Sequence, residues 1–205
     1  MSSEAEFRIL GALAAYPSYM APVEALARRL IDRGCSANDS SLMLGHRPWV
    51  APLNYALILF PPAPRTWIEA FGKRTKIAIP TFYRAFLTES TNGLTAFDFS
   101  LYGLSPSMQA DFPMLDRSSR QCLDLSLANQ DWAMEFGRDN GFHIGSRNTG
   151  DDGQLGYFTH QDGEIIAVDR KLGRAVKSWT GFPAFLAEEL AAAETQDGES
   201  WGPRH

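Results

Sequence analysis

The chain has 205 residues, 44% of them hydrophobic and 21% charged, and a formal net charge of −5. That length fits one domain burying roughly 70% of the surface its unfolded chain exposes, so a core can form without metal or disulfide staples. The acid excess excludes nucleic acid as a primary partner, because phosphate neutralisation needs clustered Lys and Arg.

At the N-terminus a short apolar run begins behind Glu4 and Glu6, where a secretory signal needs positive charge. The two cysteines, Cys35 and Cys122, lack CxxC spacing and suit a reducing cytoplasm. Helical spacing predicts helices over 4–15, with Phe7, Leu10, Leu13 and Ala14 inward, and over 22–33, with Val23, Leu26 and Leu30 inward. Pro22 stands in the first turn of the second helix and Gly34 at its end. Residues 35–48 are polar and punctuated by Gly and Pro, so they read as a loop. The segment WVAPLNYALILFPPAP is broken by Pro52, Pro61 and Pro62 and is too short for the ~20 residues a bilayer crossing needs. Trp49 and Tyr55 within it are candidates for an exposed interaction patch. Residues 1–60 are therefore expected to be an N-terminal helical extension.

From Thr66 the pattern changes. A short helix TWIEAFGKR is followed by a second, TFYRAFLTES, ending at Asn92-Gly93. LTAFDFSLYGL alternates like one half-buried strand, residues 103–121 read as a loop, and LDLSLANQDWAMEFG as a helix with Leu125, Ala128, Trp132 and Phe136 inward. GFHIGSRN, LGYFTH, EIIAVDR and RAVKSWT are strands separated by NTGDDG, QDG and KLG, an antiparallel meander. FPAFLAEELAAAE closes the chain as a helix with Phe182, Phe185, Leu186, Leu190 and Ala193 inward. The expected fold is α+β, with an antiparallel-rich sheet and helices on one face. Residues 61–195 form the expected domain, able to fold alone, and 196–205 a flexible tail.

Each candidate chemistry meets an obstacle in spacing. An EF-hand loop starting at Asn148 would need ligands at Gly150 and Thr159, and fails at both. A phosphate cradle needs Gly-Lys-Ser/Thr opening a helix, whereas NTGDDG joins strands. It reads as a turn in which Gly150 and Gly153 supply positive φ, beside Asp151 and Asp152. No GxSxG is present, Cys122 with His143 or His160 has no local signature, and His143 and His160 have no metal-ligand spacing. No catalytic residue, metal or cofactor is expected. Between Asp139 and Asp169 six acids (Asp139, Asp151, Asp152, Asp162, Glu164, Asp169) stand against one arginine, Arg147. They are either a solvated sheet face or an acidic patch that steers a basic protein partner.

The order of elements resembles the SUKH superfamily, which includes fungal cell-wall-assembly regulators and bacterial immunity proteins. The resemblance is carried by WIEAFGKR, by Ile79-Pro80, Tyr83, Phe86-Leu87 and Asn92-Gly93, by HIGSRNTGDDGQLGYFTHQDGEIIAVDR, and by GFPAFLAEEL. It covers residues 61–193, with Gly181 where a Ser cap is usual and the first sixty residues outside the pattern. It implies a non-enzymatic, cytoplasmic immunity protein that binds and neutralises a toxin catalytic domain, with a basic nuclease favoured by the acid excess. The alternative is a regulatory interaction module with a cellular partner. Asp151, Asp152, Asp162, Glu164, Asp169, Trp49 and Tyr55 are the candidate contact residues, and neither nucleic acid nor membrane is an expected partner.

Overall fold

The structure, a computed structural model, describes residues 3–105, 122–136, 141–150, 153–160 and 163–198. It opens with helices α1 (Ser3–Ala14) and α2 (Ala21–Leu30). In α2, Val23, Leu26 and Leu30 are buried as their spacing predicts. Among the described side chains of α1, Ile9 and Leu13 are buried, and Phe7, expected inward, is 79% exposed.

The loop expected over 35–48 is corrected: strands β1 (Cys35–Ala37) and β2 (Leu42–His46) lie there, and the apolar segment after them supplies β3 (Tyr55–Leu59). Leu44 joins the main core while Met43 packs on the other face with Ile58, Phe60 and Cys122. A strand buried on both faces shows no polar alternation, which is why the pattern hid it. Residues 1–60 are therefore no mere helical extension, because β3 pairs with β4 of the following region at Leu57↔Ala96 and Leu59↔Leu94.

Helix α3 (Arg65–Thr75) and the short α4 (Thr81–Ala85), which widens into a π-turn over Phe86–Ser90, come next. The single strand expected over 94–104 is a hairpin of β4 (Leu94–Ala96) and β5 (Phe99–Leu101). Phe97 makes the reversal at φ +55, a conformation that its residue type does not advertise. Then follow α5 (Leu125–Phe136), the meander β6 (Phe142–Asn148), β7 (Gln154–Thr159), β8 (Ile165–Asp169) and β9 (Arg174–Trp179), and α6 (Phe182–Gly198). The closing helix thus runs past the expected limit at 195. Gly150 takes positive φ as expected, but Gly153 does not.

The nine strands form one antiparallel sheet in sequence order. This is an α+β fold with a C-terminal meander. The main core joins Val23 and Leu26 of α2, Phe71 of α3, Tyr83 of α4 and Phe185, Leu186 and Leu190 of α6 to Leu57, Phe99, Tyr157 and Trp179 of the sheet. Helix α5 also sends Trp132 to the opposite face, where it packs on Phe158 and Val168.

Polar side chains complete the sheet where strands stop. Asn129 on α5 donates to His143 O at 2.8 Å and accepts from His143 N at 2.9 Å, replacing a strand partner beyond the end of β5. Asn92 does the same for Leu104, at 2.8 and 2.7 Å. The fully buried Tyr83 hydroxyl lies 2.5 Å from Tyr102 O and 2.9 Å from Ile144 O, tying α4 to both β5 and β6. Arg147 donates to the buried Glu189 at 2.7 Å, and the Tyr157 hydroxyl donates to the same carboxylate, fixing α6 to β6 and β7.

Because each strand pairs antiparallel with its sequence neighbour, successive connections alternate between the two ends of the sheet. The turns after β2, β4, β6 and β8 share one end. Those after β1, β3, β5 and β7 share the other.

Candidate functional site

The β2–β3 hairpin closes with the pair His46↔Tyr55. Beyond it the turn is tightly held: Arg47 N donates to Asn54 O at 2.8 Å, Val50 N to Arg47 O at 3.0 Å, and Asn54 N to Ala51 O at 3.0 Å. The His46 ring nitrogen Nε2 donates to Pro52 O at 3.0 Å and the ring lies against Tyr55 at 5.0 Å between centroids. The buried Arg47 guanidinium lies over Phe97, 5.8 Å from its centroid, anchoring the hairpin to the neighbouring turn. Pro48 and Pro52 fix φ on either side of the tip. On this rigid base Trp49, Val50 and Leu53 are 56%, 52% and 44% exposed.

Three of the predicted contact residues share this end of the sheet. Trp49 is at the tip, Tyr55 is half-buried against His46, and Asp169 stands at the close of β8, paired with Leu155. Glu164 lies at the opposite end, next to the pair Thr159↔Ile165, so it cannot join Asp169 in one patch. The strand β8 that separates them spans about 13 Å. Asp151, Asp152 and Asp162 lie outside the described residues.

The charge around Asp169 is mixed rather than acidic. Its carboxylate accepts from Leu172 N at 2.9 Å, and Arg170, Lys171 and Arg174 follow it, all exposed. Arg170 forks onto Glu135, with its closest approach 2.5 Å, and lies 5.5 Å from the Trp132 centroid. The half-buried Glu24 and Glu194 and the exposed Glu188 are likewise paired, with Arg28, Arg29 and Lys177. Val50 and Leu53 complete the apolar tip; both belong to the apolar segment that begins at Trp49 and that Pro52 interrupts.

The candidate catalytic groups occupy other surroundings. Burial pushes the Cys122 thiol up to about 12, and Cys122 contacts Leu104 O at 3.8 Å, so it packs as an apolar side chain. His143 is 1% exposed, with burial pushing its pKa down to about 4. Among the described residues no three His, Cys, Asp or Glu side chains converge as a metal site, and no helix is long and apolar enough to cross a membrane. Compared with family models and with curated proteins, the chain matches none.

At the far end of the sheet the α3–α4 connector, α5 and the facing ends of β6 and β7 surround a cleft of about 920 Å³. Its lining includes Arg74, Lys76, Trp132, Phe142, Phe158 and His160.

Proposed function

We propose that the protein is a non-enzymatic immunity protein, of the SUKH kind that its sequence resembles, which binds a toxin catalytic domain and blocks it. The pinned β2–β3 tip carries this reading. Trp49, Val50 and Leu53 form an exposed apolar knob on a backbone already ordered by hydrogen bonds, so little conformational entropy is lost when a partner covers it. A tryptophan at the centre of such a knob is the residue type that most often dominates binding energy. Asp169, Lys171 and Arg174 stand at the same end but at least five strands along the sheet, about 24 Å away, and so lie outside this knob. The net charge of −5 favours a basic partner, such as a nuclease, through long-range attraction.

The test begins with co-purification of the native protein, mass-spectrometric identification of its stoichiometric partner, and titration of that partner's activity. Wild-type protein should inhibit at one-to-one stoichiometry, and a Trp49→Ser/Leu53→Ser variant should bind at least about tenfold more weakly with unchanged thermal unfolding. Equal inhibition by the variant would remove the tip from the interface. A bound partner whose activity is unaffected would instead favour the regulatory interaction module.

A further inference from the structure

The cleft at the end of the sheet opposite the Trp49 tip has the composition of a ligand site. Its volume of about 920 Å³ lies near the top of the range for small-molecule pockets. Trp132, Phe142 and Phe158, all buried, reach its wall only at their ring edges, the first two from opposite faces of the sheet, and Leu127 and Met134, seven residues apart on α5, also line it, 40% and 73% exposed. Side chains seven apart lie on one helical stripe, here with the polar Gln130 and Asp131 between them.

Among the described lining residues the charged side chains, Arg74 and Lys76, are basic. Arg74, Lys76 and His160 line the cleft, and no carboxylate does so among the described lining residues, although the whole chain is acidic. Arg74 bridges the cleft from α3 to α5, its Nη2 donating to Ser126 Oγ at 2.9 Å, which leaves further guanidinium donors for a ligand. The α3 C-terminus explains a basic residue here in part, since cations complement the helix dipole. The same holds for the charge of Lys76, the C-cap residue, but not for its left-handed backbone at φ +60, a conformation that ordinarily favours glycine. A lysine there places an ammonium group at the lip of the cleft.

We infer that the cleft binds a small amphipathic carboxylate, its apolar body along Leu127, Met134 and the ring edges that reach the cleft and its head at Arg74 and Lys76. A planar carboxylate matches the planar fork of Arg74, and the ammonium of Lys76 supplies a second charge-assisted contact. This site stands apart from the proposed partner surface, and either can fail without the other.

Isothermal titration calorimetry of the full chain with decanoate, acetate and decanol tests the inference, with decanoate kept below its micelle concentration. Decanoate should bind saturably at one site, acetate should not bind detectably, and decanol should bind at least about tenfold more weakly. Lys76→Gly removes the charge while relieving the left-handed strain, so it should fold at least as well as wild type and bind decanoate about tenfold more weakly. Arg74→Gln should weaken binding similarly, and the Trp49→Ser/Leu53→Ser variant should bind as wild type does. Absence of saturable decanoate binding, equal affinity for decanol, or wild-type affinity in both cleft variants would each overturn the site.

Discussion

His143 sits in a box of rings: Phe158 stacks on it at 4.5 Å, Trp132 lies at 4.8 Å, and Tyr102 meets it edge-on at 5.1 Å. Its Nδ1 lies 3.3 Å from Ala128 O, and since a carbonyl only accepts, that nitrogen carries the proton of the neutral ring. Burial pushes the pKa from 6.5 down to about 4, against backbone contacts at Ala128 and Gly145 that pull it up. The unfolded chain therefore binds a proton that the folded chain refuses between those values. Stability from this residue is fully present above about pH 6.5, falls as the pH drops through that window, and is lost by about pH 4. Between pH 7 and 4.5 the loss should be about 2 kcal/mol. Urea unfolding of wild type and His143→Leu at both pH values checks it: the variant, though less stable at pH 7, should show a pH dependence smaller by that amount. Equal dependence in the two proteins would sink the argument. In the sequence this histidine is a candidate ligand or base, because a lone His looks the same in a core as at a site. Its ring neighbours come from the residue after β5, from α5 and from β7, too far apart in the chain for spacing to reveal.

Helix α5 and strand β7 illustrate a similar dependence at the level of elements. A Cβ added to Gly156 would stand 2.6 Å from the Trp132 ring, a contact that only displacement of the indole could relieve. Gly156→Ala should therefore lift α5 from the sheet, destabilise the protein by about 1–3 kcal/mol, and reduce the near-ultraviolet circular dichroism of the packed tryptophan. An unchanged unfolding midpoint would show that the helix shifts freely. The elements most legible in the sequence were those with a single buried face and marked ends. In α2, Pro22 opens a helix whose Val23, Leu26 and Leu30 all turn inward; in the meander, glycine-containing turns separate short strands. The strands β1 and β2 escaped because one is three residues long and the other is buried on both sides. The β4–β5 hairpin escaped because Phe97 occupies a left-handed position without Gly or Asn. Of the candidate site the sequence shows Trp49 in an apolar, proline-broken segment, whereas its hairpin is defined only by the pairing of β2 with β3. The acidic residues are visible in the sequence, yet their distribution depends on which turns share an end.

For the whole molecule, the consequence concerns where the domain begins. A boundary at 61 suits the polyproline break, but the sheet and the core cross it. Residues 1–60 supply β1–β3 and the buried Ile9, Leu13, Met20, Val23, Leu26, Leu30, Leu44, Leu57 and Leu59. Arg29 of α2 meets Glu194 of α6 at 2.6 Å, and Tyr19 donates to or accepts from Ser90 at 2.6 Å, so contacts join the two chain regions beyond the sheet. Removal of residues 1–60 would expose the apolar faces of α6 and leave Leu94–Ala96 as an unpaired edge of a six-strand sheet, a template for aggregation. Loss of even three of those buried leucines is worth on the order of 6 kcal/mol, comparable with the whole stability of a typical domain. A chain beginning at Pro61 should therefore bind 1-anilinonaphthalene-8-sulfonate strongly, lack a cooperative urea transition, and aggregate on concentration. Supplying residues 1–60 as a separate peptide should restore a cooperative transition, because β3 then regains its register on β4. A shortened chain that unfolds cooperatively within about 1 M urea of the full protein's midpoint would show that residues 61–195 are self-sufficient and that the three N-terminal strands are an accessory to the sheet.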